Sequence, residues 1–349
     1  MKAYYQKRIL EFINPAGTSR GVLRHKPCWY FYIYDEEIPS IKGIGEVSVI
    51  PGLSIDNLEL IEIKLSEVCN LINAGKYDFN KSIQEYPGVS FAIETAFADF
   101  KAKGSKILFS SDFTEGKKGI LTNGLIWMGN TSEMLVQIRN KIKMGFHCLK
   151  MKIGAIGFND ELKILRNIRR EFSVAELELR VDANGAFSVE EAKEVINYLA
   201  EMDVHSIEQP IMPSQIYEMA DSCENTPVPI ALDEELIGKH PFENKRKLIE
   251  IIHPQYLILK PGLLGGFNES TDYINIAEEF RIGWWITSAL ESNIGLNAIA
   301  QWTASLNTNT YQGLGLGNLY RQNVDCPLTL NGEKLFYDPA KKWSYEFVY

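Results

Sequence analysis

The 349-residue sequence has few of the residues that mark several common protein classes. Its five cysteines include no C-x-x-C pair, and its five histidines include no H-E-x-x-H motif. This argues against a disulfide-stapled secreted domain and against a zinc site. The sequence also has no apolar run long enough to span a bilayer and no leader-like apolar core near its start. We therefore expect a cytoplasmic protein with reduced thiols and no membrane partner.

Positive charge is also scarce, because 36 lysines and arginines face 45 aspartates and glutamates, for a net charge of -9. A general nucleic-acid-binding protein needs a basic surface, so no nucleic-acid partner is expected. Hydrophobic residues make up 45% and charged residues 23%, as in ordinary globular proteins. The length suffices for two domains, or for one barrel with additions.

The first part of the chain predicts strands followed by helices. Residues 26–34 (KPCWYFYIY) are aromatic and β-prone, and residues 43–50 alternate in polarity before Pro51 and Gly52. In residues 89–103 apolar side chains recur at spacings of three and four, which indicates a helix. This order predicts an α+β domain over residues 1–115.

From about residue 120, short apolar runs alternate with amphipathic helical segments. A capping box at Ser188–Glu191 begins one of these helices, and Gly145 and Gly283 lie where helices are expected to end. The eight apolar runs are 121–128, 148–154, 177–184, 205–210, 229–235, 256–262, 283–288 and 310–317.

Eight strands with helices between them predict an α/β barrel over residues 116–320. An open, doubly wound sheet is the alternative that this pattern leaves. The last stretch, about 320–349, predicts strand and turn that return to the first domain and complete it.

Polar residues end five of the predicted barrel strands. They are Lys150 and Lys152 on the second strand, Asp182 and Asn184 on the third, Glu208 on the fourth, Asp233 on the fifth and Lys260 on the sixth. Catalytic groups of such barrels lie at the carboxyl ends of the strands, so we expect these side chains to meet.

Three carboxylates from successive strands suit Mg²⁺, with Mn²⁺ as a substitute. A single strand-end aspartate often only caps the next helix. Helix capping does not explain three acidic residues at the ends of successive strands with lysines on the neighbouring strands. Glu234 follows Asp233 directly, and strand alternation predicts that it points away from Asp233, either supporting the site from behind or forming an ion pair in the core.

The same residues define a chemistry. A neutral lysine can take the proton next to a carboxylate, and a divalent cation stabilises the resulting enediolate. A neighbouring ammonium favours the neutral form of a lysine, and Lys150 is placed to do this to Lys152. Lys260 is then a second base or a stabilising charge. The positive charge of three lysines and a cation exceeds that of three carboxylates, which predicts a small dicarboxylate substrate.

The strand-end motifs, in their order along the chain, resemble the enolase superfamily in its muconate-lactonizing subgroup. They are Lys150-x-Lys152, Asp182-x-Asn184, Glu208-Gln-Pro210, Asp233-Glu234 and Lys260-Pro261. The resemblance covers nearly the whole chain. It implies a modified (β/α)₇β barrel of the TIM type, in the α/β class, with an α+β capping domain, and Mg²⁺ held by Asp182, Glu208 and Asp233.

Four further stretches are similar to subgroup members that dehydrate 2-succinyl-6-hydroxy-2,4-cyclohexadiene-1-carboxylate to o-succinylbenzoate, a step towards menaquinone. They are residues 51–54, 123–126, 260–266 and 288–296. The resemblance implies that Lys152 removes the α-proton and assists the departure of hydroxide, while Lys260 stabilises the enediolate. Candidate substrate contacts are Arg20, Asn184, Gly262, Ser288, Glu291 and Ser292.

Three other functions stay open on the sequence. An N-acylamino-acid racemase or dipeptide epimerase of the same superfamily would use both lysines as acid–base groups. A Schiff-base aldolase would use a barrel lysine against a carbonyl. A degenerate barrel would serve only for binding. The sequence does not show whether the protein is a monomer or a homo-oligomer.

Overall fold

A computed structural model describes residues 1–18, 21–154, 157–315 and 319–344. The chain begins with an antiparallel sheet in the order β1-β2-β3. Its strands are β1 Lys2–Thr18, β2 Gly21–Tyr34 and β3 Lys42–Ser48, and three helices follow, α1 Ile61–Asn73, α2 Asn80–Ile83 and α3 Pro87–Lys101. Strands followed by helices are what the sequence predicts for this part of the chain.

The aromatic strand β2 is buried on both faces. Trp29, Phe31 and Ile33 pack with the helices of this first unit, whereas Tyr30 and Tyr32 lie in a second apolar cluster that includes Ile294 and Tyr320. Strand β3 lies very close to α3, since a Cβ at Gly45 would come 1.9 Å from the carbonyl oxygen of Ala92. Only glycine allows this approach.

Seven parallel strands form the second sheet, in the order β11-β10-β9-β8-β7-β6-β5. The strands are β5 Gly124–Ile126, β6 Cys148–Lys152, β7 Glu178–Asp182, β8 Ser206–Glu208, β9 Ile230–Leu232, β10 Tyr256–Leu259 and β11 Gly283–Ile286. The helices are α4 Thr131–Lys143, α5 Phe158–Glu171, α6 Val189–Ala200, α7 Ile216–Glu224, α8 Phe242–Ile252, α9 Pro261–Leu264, α10 Phe267–Phe280 and α11 Asn293–Ser305.

One short segment joins the two edges of this sheet. Gln312 forms a parallel bridge with Thr122, just before β5, and Gly313 forms one with Thr287, just after β11. The predicted eighth run, 310–317, thus supplies the closing position, although residues 316–317 lie outside the described residues. The barrel prediction is confirmed. The alternative prediction of an open, doubly wound sheet is wrong, because both edge strands pair with the same segment.

The end of the chain contacts both units. Leu319 and Tyr320 pair with β1, through a bond of 2.8 Å from the Ile13 amide to the Leu319 carbonyl and a bridge between Phe12 and Tyr320. A hairpin of β12 Leu328–Asn331 and β13 Lys334–Tyr337 then pairs with β4 Ile120–Leu121. The domain limits 1–115, 116–320 and 320–349 stay a prediction.

The predicted capping box begins α6. The Ser188 hydroxyl accepts from the Glu191 amide at 3.2 Å, and the Glu191 carboxylate accepts from the Ser188 amide at 2.9 Å. The five cysteines, all within the described residues, are buried free thiols. In the described ranges no helix is both apolar and long enough to cross a bilayer.

Candidate active site

The sheet register places the predicted site residues in one row. Lys152 pairs with Asp182, and Asp182 pairs with Glu208, across three neighbouring strands. Paired residues of a parallel sheet point to the same side, here the inside of the barrel. Asp233 and Lys260 follow β9 and β10 directly. The mouth of the barrel therefore gathers the three carboxylates and three lysines that the strand-end pattern predicts.

The ammonium groups lie between the carboxylates. Lys150 Nζ is 2.9 Å from Asp182 Oδ2 and 2.7 Å from Glu208 Oε2. Lys260 Nζ contacts Asp233 Oδ2 and lies 3.5 Å from Glu208 Oε1. Lys152 Nζ is 2.9 Å from the same Asp182 oxygen that Lys150 contacts. All six residues are at most 8% exposed, so these contacts form in a largely dry environment.

Burial and charge oppose each other in this cluster. Burial lowers the pKa of Lys150 and of Lys260, but the adjacent carboxylates outweigh it and raise both values. Burial raises the pKa of Asp182, yet the surrounding ammonium groups lower it far below its usual range. Burial and the crowding of Glu234, Glu208 and Asp182 raise the pKa of Asp233 well above its usual value, although Lys260 opposes this. The Asp233 side of the cluster is therefore short of positive charge.

Asn184 and Glu234 extend the cluster. Asn184 Oδ1 accepts from Lys152 Nζ at 2.6 Å, and its Nδ2 donates to Glu234 Oε1 at 3.1 Å. This places Glu234 behind Asn184, in the supporting role that the sequence predicts, although β9 ends at Leu232 and a 3₁₀ turn begins at Glu234. Strand alternation no longer applies in that turn. Glu234 adds a fourth carboxylate, which the sequence argument did not count.

Gln209 fixes the turn that carries these acids. It is fully buried, and its Oε1 accepts from the amides of Asp233 at 3.1 Å and Glu235 at 3.2 Å. Its backbone is left-handed, with φ of 41°. Gln209 is thus a positioning residue within the motif Glu208-Gln-Pro210.

A cavity of about 230 Å³ opens above the lysines. Its walls come from both units, and apolar side chains of the first unit cover it. Those side chains are Val22, Leu23, Ile50, Pro51 and Leu53, and the barrel adds Leu125, Trp127, Leu290 and Leu319. Polar groups at one end and an apolar cover fit a small organic acid.

The predicted substrate contacts divide into three groups. Asn184 and Ser288 line the cavity. Gly262, Glu291 and Ser292 do not line it, since Ser292 is fully buried against Glu46, and Glu291 Oε2 accepts from the Ala289 amide at 2.6 Å. Sequence motifs alone do not separate a wall residue from the residue behind it. Arg20 lies outside the described residues.

Thr287 and Asn123 are polar cavity residues that were not among the predicted substrate contacts. Thr287 Oγ1 and Asn123 Oδ1 are buried without a hydrogen-bond partner among the described residues. Thr287 directly follows β11, so the strand-end rule could have found it. Asn123 precedes β5, where that rule gives no signal, and only the resemblance of the stretch 123–126 pointed to it.

The donor set fits a hard divalent cation, although the present side-chain arrangement is not a preformed cage. In the described part of the chain, no group of three or more histidine, cysteine or acidic residues is arranged to hold a metal ion. Lysine ammonium groups occupy the spaces between Asp182, Glu208 and Asp233. A cation would have to replace ammonium contacts. The four buried carboxylates outnumber the three lysines, and oxygen donors of this kind are those that Mg²⁺ prefers.

Fold and site define a capped α/β barrel with opposed lysines around a cluster of buried acids. The family model described as enolase C-terminal domain-like matches residues 133–336. The chain belongs to the enolase superfamily.

A sequence and a solved structure from one organism match nearly the whole chain. The o-succinylbenzoate synthase of Desulfotalea psychrophila is 44% identical, over 95% of this chain and 98% of that protein. The crystal structure of MenC from D. psychrophila LSv54 has a TM-score of 0.85 and 40% identity, over 96% and 99% of the two chains.

A dipeptide epimerase of Enterococcus faecalis, solved with Mg and the dipeptide L-Leu-L-Tyr, shares the fold. Its TM-score is 0.81 and its identity 20%, over 97% of this chain and 96% of that one.

Proposed function

We propose that this chain catalyses the o-succinylbenzoate synthase reaction, a carbon–oxygen lyase step in menaquinone biosynthesis. It removes water from 2-succinyl-6-hydroxy-2,4-cyclohexadiene-1-carboxylate, taking the proton next to the carboxylate and the ring hydroxyl. The near full-length similarity to a synthase of this name supports the reaction. The observation that carries the mechanism is the placement of Lys152 and Lys260 on opposite sides of the acids.

The sheet order gives this opposition. Lys152 ends β6 and Lys260 follows β10, and β7, β8 and β9 lie between them. In a ring with eight strand positions these two lysines face each other across the mouth. A flat substrate between them presents one face to each amine.

Lys152 is the proposed base. Its amine lies 2.6 Å from the Asn184 amide oxygen, and this hydrogen bond orients the amine. It takes the α-proton and then returns a proton to the departing hydroxide on the same face, so the elimination is syn. Forming an aromatic ring drives the second step.

Lys260 keeps its charge rather than exchanging protons. It contacts both Asp233 and Glu208, and two carboxylates stabilise the ammonium form. It thus places positive charge on the face opposite the base, where the enediolate forms. A racemase would require a neutral base in turn on each face, so the two reactions differ in the role of Lys260.

Asp182, Glu208 and Asp233 are the residues that would hold Mg²⁺, or Mn²⁺ in its place. When bound, the cation supplies positive charge for the substrate carboxylate. The structure of a dipeptide epimerase with Mg in the same fold is consistent with this assignment. The substrate is a small dicarboxylate, and a cytoplasmic location agrees with the buried free thiols.

The test supplies the cyclohexadiene substrate and follows the absorbance of the aromatic product, with Mg²⁺ and with excess chelator. We expect turnover with Mg²⁺, loss of turnover with chelator, and recovery when Mg²⁺ is returned. Turnover that persists in chelator would count against the cation. Deuterium uptake into both enantiomers of an N-acylamino acid, with no dehydration, would show that the protein is a racemase and not a synthase.

A further inference from the structure

The cavity wall contains a residue in an unfavourable backbone conformation. Leu290 lines the cavity and has φ of 60°, in the left-handed region. This region is unfavourable for an ordinary L-residue because Cβ crowds the backbone. Such a conformation persists only when neighbouring groups hold it. The contacts of the Leu290 carbonyl show which groups do so.

Two strong donors converge on that carbonyl. Lys26 Nζ donates to the Leu290 carbonyl oxygen at 2.6 Å, and the Tyr320 hydroxyl donates to it at 2.7 Å. Lys26 also donates to the Ser48 hydroxyl. Lys26 is on β2 and fully buried, so its charge-assisted bond lies in a dry environment. A bond of this kind is stronger than one between neutral groups.

The next strand holds the residues that follow Leu290. Glu46 on β3 is fully buried. Its carboxylate accepts from the Ser292 amide at 2.8 Å, the Ser292 hydroxyl at 2.6 Å and the Gly295 amide at 2.9 Å. It therefore caps the start of α11, where free amides favour an anion.

Lys26, Glu46 and their contacts to residues 290–295 form what we call the Lys26–Glu46 clamp. The clamp joins the two walls of the cavity. Strand β2 carries Val22 and Leu23, and β3 leads into Ile50 and Pro51, all of which line the cavity from the first unit. The barrel supplies residues 287–290 of the facing wall. Because the same two strands carry both the clamp and the cover, the clamp sets the separation of the walls.

We infer that Lys26 and Glu46 are positioning residues for substrate binding, which hold Leu290 and residues 287–289 against the part of the substrate remote from the reacting carbon. The inference rests on the proposed function. Lys26 does not line the cavity, and its amine is already bonded to Ser48 and Leu290. It therefore acts through the wall and touches no reacting atom. Loss of an interaction that is made equally in the ground state and the transition state raises KM and leaves kcat unchanged.

Lys26→Met keeps the apolar stem and removes the ammonium. We expect KM for the cyclohexadiene substrate to rise about tenfold, as for a lost charged hydrogen bond, while kcat stays within about threefold. Hydrogen exchange of residues 287–290 should become faster in the folded variant. Lys7→Met is the matched control, because Lys7 is an exposed lysine on β1 that pairs with Glu62 at 2.6 Å.

Tyr320→Phe removes only the second donor to the Leu290 carbonyl and keeps the ring. It should raise KM about two- to threefold, so the inference is testable even if Lys26→Met fails to fold. Wild-type KM and wild-type exchange in both folded variants would overturn it. If wild-type protein itself does not dehydrate the substrate, the proposed function fails, and hydrogen exchange of residues 287–290 still decides whether the clamp holds the wall.

Discussion

Glu234 brings a fourth acidic side chain to the cluster at the barrel mouth. It is 6% exposed and bonds Asn184, which in turn bonds the proposed base Lys152. Its charge also raises the pKa of nearby Asp233, after burial and against Lys260. One residue thus connects the two sides of the site, the base on β6 and the acids after β9.

Glu234→Gln tests that connection. The glutamine keeps an oxygen for Asn184 but removes the charge, so we expect Mg²⁺ affinity to fall about tenfold, as for residues that support metal ligands. Calorimetric titration with Mg²⁺ measures the change. Glu201→Gln, at a side chain 65% exposed, is the control and should bind like wild type. Equal affinity in all three proteins would contradict this role.

Single residues were predictable from sequence only where a strand rule applies. Lys152, Asp182 and Glu208 end strands of regular alternation, and the structure gathers them as expected. Glu234 lies in a 3₁₀ turn, where strand alternation does not define the direction of a side chain. Ser292 carries the hydroxyl expected of a substrate contact, but its partner, Glu46, lies 246 positions away in sequence. No local pattern reports such a contact.

Helix α3 reaches across to the barrel and caps one of its helices. Glu94 on α3 accepts from the backbone amides of Phe267 and Asn268, at the start of α10. Burial raises the pKa of Glu94 to about 7, although those two amides lower it. The contact between the two units therefore includes a carboxyl group that titrates near neutrality.

The pH dependence of stability follows from this shift. The folded pKa of Glu94, about 7, exceeds its ordinary value of 4.5. The folded state thus binds the proton more tightly, and its contribution is complete below about pH 4.5 and is lost as pH rises through 7. Glu94→Gln should flatten the fall of Tm over that range by a few degrees. Glu85→Gln, at an exposed position, should leave the fall unchanged, and an unaltered slope in Glu94→Gln would refute the assignment.

At the level of elements, the capping box and one of the two glycines predicted at helix ends are confirmed, since Gly145 follows α4 with φ of 85°. The capping box at Ser188 begins α6 as expected. Gly283 was expected to end a helix, but α10 ends at Phe280, Arg281 takes the left-handed position, and Gly283 begins β11. A Cβ at Gly283 would meet the Tyr256 ring at 2.5 Å, so this glycine serves strand packing. The sequence alone does not show whether a glycine ends a helix or allows a strand to pack closely.

In the whole molecule, the barrel supplies the reacting groups and the first unit supplies the cover. The acids lie on three neighbouring strand positions, β7 to β9, and the lysines on the flanking positions, β6 and β10. Chain order alone predicts this arrangement once a closed parallel barrel is assumed. The shape of the cavity depends on contacts between distant segments, such as Lys26 with Leu290, and these needed the structure.

The turnover number of Lys152→Ala, measured in Mg²⁺ with the cyclohexadiene substrate, tests the central claim most directly. The account predicts a folded protein with wild-type circular dichroism and a kcat reduced about a thousandfold or more. Lys193→Ala, which removes a surface lysine paired with Asp221 at 2.9 Å, should retain wild-type turnover. A folded Lys152→Ala protein that dehydrates the substrate at the wild-type rate would contradict the account.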